Sequence, residues 1–266
     1  MDLQLSGKRA LVTGGSRGIG LAIARQLARE GARVALAGRD RAALAAAARS
    51  ILDETGTEAV VIAADTGDDA SVKAMVAAAV EGMGGLDILV NAAAKVAGQS
   101  APPKLQEITD ELFWSDVNIK VMGYLRAARE AAPHMIAGKW GRIVNVSGLA
   151  ARQTGSAIGS MRNVAVAALT KNLADELGPH GINVTCVHPG LTRTEKTAPL
   201  VAARAAASGQ APEAVEKAMA GNVVIGRLVD AAEVADLVAF LASPRSISIT
   251  GDAIPCGGGV RGAIYY

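Results

Sequence analysis

The fold of this chain is decided by one stretch near its start, Leu11-Val12-Thr13-Gly14-Gly15-Ser16-Arg17-Gly18-Ile19-Gly20-Leu21. An apolar run over residues 9–13 predicts a strand, and Ile19, Ile23 and Leu27 repeat with the period of a helix. A strand, a glycine loop and a helix together aim backbone N–H groups and the positive end of a helix dipole at a phosphate. The stretch therefore predicts a nucleotide-phosphate site, and a tight turn that binds nothing is the alternative.

The glycines of this loop are spaced for close contact. A side chain at Gly14, Gly18 or Gly20 would hold a pyrophosphate away from the backbone, or the helix away from the sheet. The pattern Thr-Gly-x-x-x-Gly-x-Gly near an N-terminus, with alternating strand and helix patterns behind it, resembles the short-chain dehydrogenase/reductase family. The resemblance covers nearly the whole chain and includes residues 222–228 and 239–243.

Length and charge exclude several classes of protein. The 266 residues suit one α/β domain, 1–266, and 27 Lys and Arg are balanced by 25 Asp and Glu. The positive residues are dispersed, so no nucleic-acid or membrane partner is predicted, and no metal site is predicted. Cys186 and Cys256 favour a reduced, cytoplasmic protein with buried thiols. The sequence shows neither a signal-peptide pattern nor an apolar run of membrane-spanning length.

Apolar runs of strand length alternate with periodic segments of helix length. Strands are predicted over 9–13, 33–37, 59–63, 87–91, 142–147, 183–188 and 252–255. Helices are predicted, besides the one after the glycine loop, over 41–54, 69–82, 110–137, 160–178 and 231–242. This alternation implies a doubly wound (Rossmann-type) α/β fold, a parallel sheet of about seven strands with helices on both faces. Residues 192–222 interrupt it; the resemblance implies a substrate lid there, and an exposed helical insertion is the alternative.

The end of the second predicted strand distinguishes between two cofactors. An acidic residue at its tip would hold a ribose 2′-hydroxyl and favour NAD(H), but Ala37 or Gly38 stands there. Arg39 follows, and Arg17 lies in the glycine loop; two guanidinium groups suit a 2′-phosphate. NADP(H) is therefore favoured over NAD(H), while a strand one residue longer would bring Asp40 to the tip.

The resemblance assigns further residues to the cofactor. Asp65 follows the third strand, where the side chain meets the adenine in the family. Asn91-Ala92-Ala93-Ala94 is similar to the family's Asn-Asn-Ala-Gly segment with two departures, and Pro189-Gly190 is similar to the turn beside the nicotinamide. The predicted cofactor-binding residues are Gly14, Ser16, Arg17, Gly18, Ile19, Gly20, Arg39, Asp65, Thr66, Asn91, Ala92, Ala93, Asn163, Pro189, Gly190 and Thr192.

The resembled family catalyses with a Ser, a Tyr and a Lys four residues after the Tyr, and an Asn nearby. The segment 169–177, Leu-Thr-Lys-Asn-Leu-Ala-Asp-Glu-Leu, sets the register and puts Gly159 at the Tyr position and Asn163 at the Lys position. No shift of the alignment recovers the phenol. The chain's tyrosines are Tyr124, Tyr265 and Tyr266, of which the last two would serve only a neighbouring subunit's site. The chain is thus identified as a divergent member without the catalytic pair.

The candidate catalytic residues are Asn118, Ser147, Asn163 and His188. Asn118 matches the family's asparagine. Ser147 comes one residue before the usual serine, where the alternation of a strand would turn it away from the site. His188 stands at the carboxyl end of a strand, and an imidazole titrates near neutral pH, which suits acid–base work.

Other side chains near these positions have alternative roles. Arg162 would bind an anionic substrate or lie at the surface, and Ser160 would donate a hydrogen bond or cap its helix. Lys95 and Lys120 are predicted to stay solvated, and a position near the cleft is the alternative for either. Gly159 is expected to leave a space about the size of one aromatic side chain.

These observations predict an NADP(H)-dependent oxidoreductase of the short-chain type, with an altered catalytic centre and an unidentified small-molecule substrate. A catalytically inactive nucleotide-binding sensor or partner protein is one alternative. A lyase or isomerase on the same fold is another. The resemblance also implies a homodimer or homotetramer, in which helices 110–137 and 160–178 pair across a two-fold axis.

Overall fold

The computed structural model describes residues 1–95 and 102–261. Its strands are β1 Arg9–Thr13, β2 Arg33–Gly38, β3 Val60–Ala63, β4 Ile88–Asn91, β5 Gly141–Val146, β6 Ile182–Pro189, β7 Thr192–Arg193, β8 Val229–Asp230 and β9 Ala253–Cys256. Within the described residues, seven of them form a parallel sheet in the order β3-β2-β1-β4-β5-β6-β9, and β7 pairs with β8. The predicted doubly wound sheet of seven strands is confirmed.

Helices connect these strands. They are α1 Gly18–Arg29, α2 Arg41–Thr55, α3 Asp69–Met83, α4 Asp110–Val117, α5 Gly123–Ala137, α6 Ala157–Leu177, α7 Thr197–Ser208, α8 Pro212–Met219 and α9 Ala231–Leu241. Asp40, Asp68 and Thr109 begin α2, α3 and α4, because each side chain accepts a hydrogen bond from a backbone N–H in the first turn. No helix in residues 1–95 or 102–261 is long and apolar enough to cross a membrane.

Both faces of the sheet are covered, because successive residues of a strand point to opposite sides. Val12 packs on one side in a cluster that includes Ile23 of α1 and Val238 of α9. Leu11 packs on the other side in a cluster that includes Met75 of α3 and Met135 of α5. Continuous apolar strands are therefore buried between two helical layers.

The sheet places its ligand-binding edge next to β1. The order of strands reverses there, since β2 lies on one side of β1 and β4 on the other. Thr13 at the carboxyl end of β1 is level with Ala37 of β2 and Asn91 of β4. Open α/β sheets bind ligands at the carboxyl edge where the order reverses.

One predicted helix is divided in the structure. Residues 110–137 were expected to be continuous, but a π-helical turn, Asn118–Met122, separates α4 from α5. Such turns often occur at functional sites, because the extra residue in the turn changes which side chains face inward. Residues 192–222 contain β7, α7 and α8, so the predicted interruption is largely helical.

Candidate active site

The glycine loop between β1 and α1 has the shape of a phosphate cradle. Gly14 has a φ of +70°, and a Cβ on it would lie 2.8 Å from the carbonyl oxygen of Ala92. A Cβ on Gly20 would collide with the carbonyl oxygen of Gly14. Both positions must therefore be glycine for the loop to keep this form. Gly14 and Gly20 both belong to the lining of a cleft.

The N-terminus of α1 already binds an anionic group. The N–H of Gly18 donates a hydrogen bond of 3.1 Å to Oε2 of Glu195, an exposed residue that follows β7. A carboxylate is favoured here for the same reason as a phosphate, since unpaired N–H groups and the helix dipole both attract negative charge.

The glycine loop forms one wall of a cleft of about 1060 Å³, at the upper end of the volumes of ligand pockets. The predicted cofactor-binding residues that line it are Gly14, Ser16, Arg17, Gly18, Ile19, Gly20, Arg39, Asp65, Thr66, Ala92, Ala93, Asn163, Pro189, Gly190 and Thr192. Asn91 is the exception. Its buried Nδ2 donates a hydrogen bond of 3.0 Å to Oδ1 of Asn145, so its side chain joins β4 to β5.

The charged residues after β2 are arranged for a phosphate. β2 ends at Gly38, and both Arg39 and Arg17 line the cleft. Asp40 lines it too, but one carboxylate oxygen accepts the N–H of Ala43 at 3.0 Å to cap α2. The other oxygen lies 3.7 Å from Nη2 of Arg17. The Asp40 carboxylate is thus engaged by α2 and by an arginine.

Ser147 and Asn163 meet in another part of the cleft. Ser147 follows β5 and lines the cleft, which corrects the expectation that strand alternation turns it away. Its Oγ donates to the backbone oxygen of Asn163 at 3.0 Å and lies 3.2 Å from Oδ1 of the same residue. The irregular backbone after the last strand residue removes the alternation on which that expectation depended.

Lys120 is a buried residue of the same wall, so the prediction that it stays solvated is wrong. Only 4% of its surface is exposed. Its Nζ donates hydrogen bonds of 2.9 Å to the backbone oxygen of Ser147 and 2.9 Å to Oδ1 of Asn163. Burial, and then the nearby guanidinium of Arg162, lower the pKa of Lys120 to about 7. We name Lys120, Ser147 and Asn163 the amine cluster.

The sequence contained a signal for this burial. Lys120 precedes Gly123, Tyr124 and Ala127 by three, four and seven residues, and all three are buried positions of α5. Residues at these spacings share one face of a helix. The position of Lys120 thus indicated burial, but lysine is so rarely buried that exposure was predicted from its residue type.

Lys95, the other lysine predicted to stay solvated, lines the cleft as an exposed residue, and its Nζ donates a hydrogen bond of 2.6 Å to Oγ of Ser115.

Gly159, at the Tyr position of the family, lies in the first turn of α6. Gly159 is buried but lies outside the cleft lining, and a Cβ there would meet Oγ of Ser156 at 2.8 Å. The side chain of Ser156 therefore occupies part of the space that was expected beside Gly159. Ser156, not Ser160, caps α6 by accepting the N–H of Gly159, while Ser160 donates to the backbone oxygen of Gln153.

Two candidate catalytic residues lie outside the cleft lining. Asn118 donates to the backbone oxygen of Gly67 at 2.9 Å and accepts from Arg126 at 2.8 Å, so its side chain holds loops together. His188 is 1% exposed, and its Nδ1 is 3.8 Å from Sγ of Cys186. Burial lowers the pKa of His188 to about 4, which keeps the imidazole neutral near pH 7.

Arg162 is a buried cleft residue rather than a surface arginine. Its Nη1 donates to both carboxylate oxygens of Asp116 on α4, at 2.6 Å for Oδ2. Arg162 thus joins α6 to α4 and leaves a guanidinium in the cleft wall near Lys120. Charge-assisted hydrogen bonds from one guanidinium nitrogen to both carboxylate oxygens hold the arginine in place.

No phenol from the described residues reaches the cleft lining. Tyr124 is 1% exposed on α5, and its hydroxyl donates 2.9 Å to the backbone oxygen of Val146. Burial raises the pKa of this phenol. Tyr265 and Tyr266 lie outside the described residues. Together, the fold and the cleft define a doubly wound α/β protein with a cleft lined by a glycine loop and by the amine cluster.

Comparison with known proteins gives the family. A family model described as enoyl-(acyl carrier protein) reductase matches residues 14–261. An uncharacterized oxidoreductase of Methylorubrum extorquens is 34% identical over 260 residues, which cover 97% of this chain and 99% of that protein. The chain belongs to the short-chain dehydrogenase/reductase family and is an oxidoreductase of that type.

Solved structures agree along the full length. L-sorbose reductase from Gluconobacter frateurii, complexed with NADPH and L-sorbose, has a TM-score of 0.93 and 31% identity, and the match covers 99% of this chain and 100% of that one. NAD⁺-bound xylitol dehydrogenase has a TM-score of 0.85 and 31% identity, with 96% and 100% covered.

Proposed function

We propose that the chain is an NADP(H)-dependent oxidoreductase that interconverts a small-molecule carbonyl and alcohol in a centre without the family's Tyr–Lys pair. The observation that carries this proposal is the pairing of a glycine cradle with Arg17 and Arg39 in one cleft. One similar structure holds NADPH and another NAD⁺, so the cofactor preference rests on this chain's own arginines.

The residues present fit such a cofactor. Gly14, Gly20 and the N-terminus of α1 would hold the pyrophosphate, and Arg17 with Arg39 would hold the 2′-phosphate. Reduced nicotinamide, when bound, supplies a hydride to a carbonyl carbon. The protein's part is to orient the carbonyl and to hold the proton that its oxygen receives.

Residues 192–222 are proposed as the lid over the cleft. Thr192, Thr194, Glu195 and Lys196 line the cleft just before α7 begins, so a movement of this segment changes access to the site. Closure of such a segment excludes water from the reacting atoms.

We also propose that the protein forms a homodimer or homotetramer through α4, the π turn and α6. Large apolar side chains on these elements are left exposed by the described part of one chain: Leu112, Trp114, Met122, Met161 and Val164. An exposed apolar patch of this kind marks a protein interface.

The thiols support a reducing compartment. Cys186 is buried, and burial raises its pKa to about 11. Cys256 is half-buried, and both cysteines are free. Free thiols of low reactivity are usual in the cytosol, where we propose that the protein acts.

A catalytically silent NADP(H) sensor is the second candidate, and the observation in its favour is the position of Tyr124, whose hydroxyl is bonded away from the cleft. The test has two parts. NADPH and NADH are titrated calorimetrically, and NADPH oxidation is then followed with a panel of carbonyl compounds. Ketoses come first, because the structure with a TM-score of 0.93 is a ketose reductase.

The proposal predicts NADPH binding and substrate-dependent NADPH oxidation. NADPH binding without turnover of any compound would favour the sensor. Conversion of a compound without net NADPH oxidation would indicate a lyase or isomerase. Failure to bind either nucleotide would overturn all readings that use the cleft for a cofactor.

A further inference from the structure

Lys120 is a buried amine in an unusual position. It lies in the π-helical turn Asn118–Met122. Only 4% of Lys120 is exposed, whereas Met122, two residues later in the same turn, is 37% exposed. A lysine side chain loses favourable hydration when it is buried, so burial without a carboxylate partner needs an explanation. Lys120 forms no ion pair among the described residues.

The contacts of Lys120 bring its amine to the position that lacks the family lysine. Asn163 stands at that position on α6, and its Oδ1 accepts a hydrogen bond of 2.9 Å from Nζ of Lys120. The second acceptor, also at 2.9 Å, is the backbone oxygen of Ser147. The amine cluster therefore joins three elements, the π turn, the residue after β5, and α6.

The two acceptors match a neutral amine. A neutral Nζ has two N–H donors and one lone pair, and both donors are satisfied by Ser147 and Asn163. An ammonium has a third N–H, for which the described residues provide no acceptor. Because Lys120 lines the cleft, a carbonyl oxygen bound there would be the acceptor for the third N–H.

The charges around Lys120 come from several elements. Arg162 of α6 lowers its pKa, whereas Cys186 of β6 and Asp116 of α4 oppose that effect. Both oxygens of Asp116 are bound to Arg162, so its carboxylate does not pair with the amine. On β6, burial keeps the imidazole of His188 neutral near pH 7, and the positive charge of Lys120 lowers the pKa of His188 further.

We propose that Lys120 is the acid–base catalyst of this enzyme, supplying the proton for carbonyl reduction from the amine cluster. The proposal rests on the proposed function. The carbonyl carbon receives the hydride of reduced nicotinamide, and the π electrons of C=O move to oxygen. One N–H bond of the Lys120 ammonium, the form that carries the third proton, then breaks as the O–H bond forms. The products are an alcohol, oxidised nicotinamide and a neutral amine, which regains its proton from water.

The first test needs no substrate. Protein labelled with nitrogen isotope in lysine is titrated by NMR, and the Lys120 resonance is assigned by its loss in Lys120→Met. We expect a midpoint near pH 7 for this resonance alone, with the exposed lysines still charged, and a shift of the resonance when NADP⁺ is added. A Lys120 ammonium that stays protonated through about pH 9 would overturn the proposal.

The second test is kinetic. Lys120→Met is expected to lower kcat for reduction by at least about 100-fold, the usual contribution of a general acid, with partial rescue by added ethylamine. Reduction by the wild type should be constant below about pH 7 and fall as the pH rises, because the acid must be protonated. The matched control, Lys171→Met, changes a lysine of α6 whose side chain is 61% exposed.

Two outcomes would contradict the role of Lys120 while the proposed function stands. One is NADPH-dependent reduction that persists in Lys120→Met with its pH profile unchanged. The other is a pH profile that is lost in His188→Asn and kept in Lys120→Met. Absence of NADPH binding would instead overturn the proposed function itself, and the NMR titration would still report on the amine.

Discussion

The two ends of the cleft are built in different ways. The proposed cofactor end is made largely of backbone, where Gly14 and Gly20 leave no room for a side chain beside neighbouring carbonyl oxygens. The proposed catalytic end is the amine cluster, whose residues come from three elements. A site made of backbone restricts the sequence at fixed positions, whereas an amine can reach the same place from another element. One family pattern can therefore persist while the other is lost.

The largest effect is expected from the backbone end. Gly20→Ala puts a methyl group against the oxygen of Gly14 and must move the loop. We expect NADPH affinity, measured by calorimetry, to fall by at least about 100-fold, or ~2.7 kcal/mol. Gly178→Ala is the control, because a Cβ there meets nothing within 4 Å. Unchanged NADPH affinity in Gly20→Ala would show that the loop does not hold the phosphates.

The next effect is the pH dependence that Lys120, at the catalytic end, gives to the free energy of unfolding. The folded protein lowers the pKa of Lys120 from 10.5 to about 7, so between these values the unfolded chain binds more protons. Stability then rises with pH in that window. We expect the unfolding free energy of wild type minus that of Lys120→Met to increase by about 2 kcal/mol from about pH 7 to about pH 9.

Urea unfolding at several pH values measures this difference, and groups that titrate equally in both proteins cancel. Below about pH 7 the difference should be constant, because Lys120 is protonated in the folded and unfolded states. A difference that stays flat across the whole range would mean that Lys120 keeps an ordinary pKa despite its burial.

Substitution of the two arginines in the cofactor end should change the affinity for NADPH and leave the affinity for NADH almost unchanged. Replacing Arg17 or Arg39 with alanine is expected to weaken NADPH about tenfold each, or ~1.4 kcal/mol, since each removes a charged contact to the 2′-phosphate. NADH affinity should stay within about twofold. Arg41→Ala serves as the control, because Arg41 is exposed and outside the cleft lining. Equal losses for both nucleotides would assign the arginines to another part of the cofactor.

The smallest effect concerns the boundary with the lid. Glu195 occupies the N–H of Gly18, so its carboxylate competes with the pyrophosphate. Glu195→Gln should tighten NADPH by roughly twofold to fivefold, the range of a charge near a helix terminus. Glu213→Gln, on exposed α8, should change nothing. Weaker NADPH binding in Glu195→Gln would mean that this carboxylate helps the cofactor.

Most of the fold was predictable from local patterns. Apolar runs and helical periodicity placed every strand of the main sheet within about two residues, because two buried faces require continuous apolar strands. The break at Asn118–Met122 was not predicted, since an extra residue in a helical turn leaves the apolar periodicity almost unchanged. The N-terminal cap of α6 was predicted at Ser160, whereas Ser156, four residues earlier, caps the helix.

The two ends of the cleft also differed in how far they were predictable. Of the residues predicted for the cofactor, Asn91 alone lies outside the lining, because β4 and β5 share its side chain in a buried hydrogen bond. The catalytic end was predicted by aligning the chain with the family's Ser, Tyr and Lys positions, of which the Tyr and the Lys are replaced here. The alignment identifies Asn163 at the Lys position but gives no indication that Lys120 donates a hydrogen bond to it. That contact spans 43 residues of sequence and depends on how α6 packs beside the π turn.

The most direct test of the central claim, an intact cofactor end beside a rebuilt catalytic end, is one calorimetric titration series of NADPH into wild type and Lys120→Met. We expect both proteins to bind NADPH, with dissociation constants that agree within about threefold. Loss of NADPH binding in Lys120→Met alone would make Lys120 part of the cofactor end. Absence of NADPH binding in both proteins would contradict the claim that the glycine-loop end of the cleft binds the cofactor.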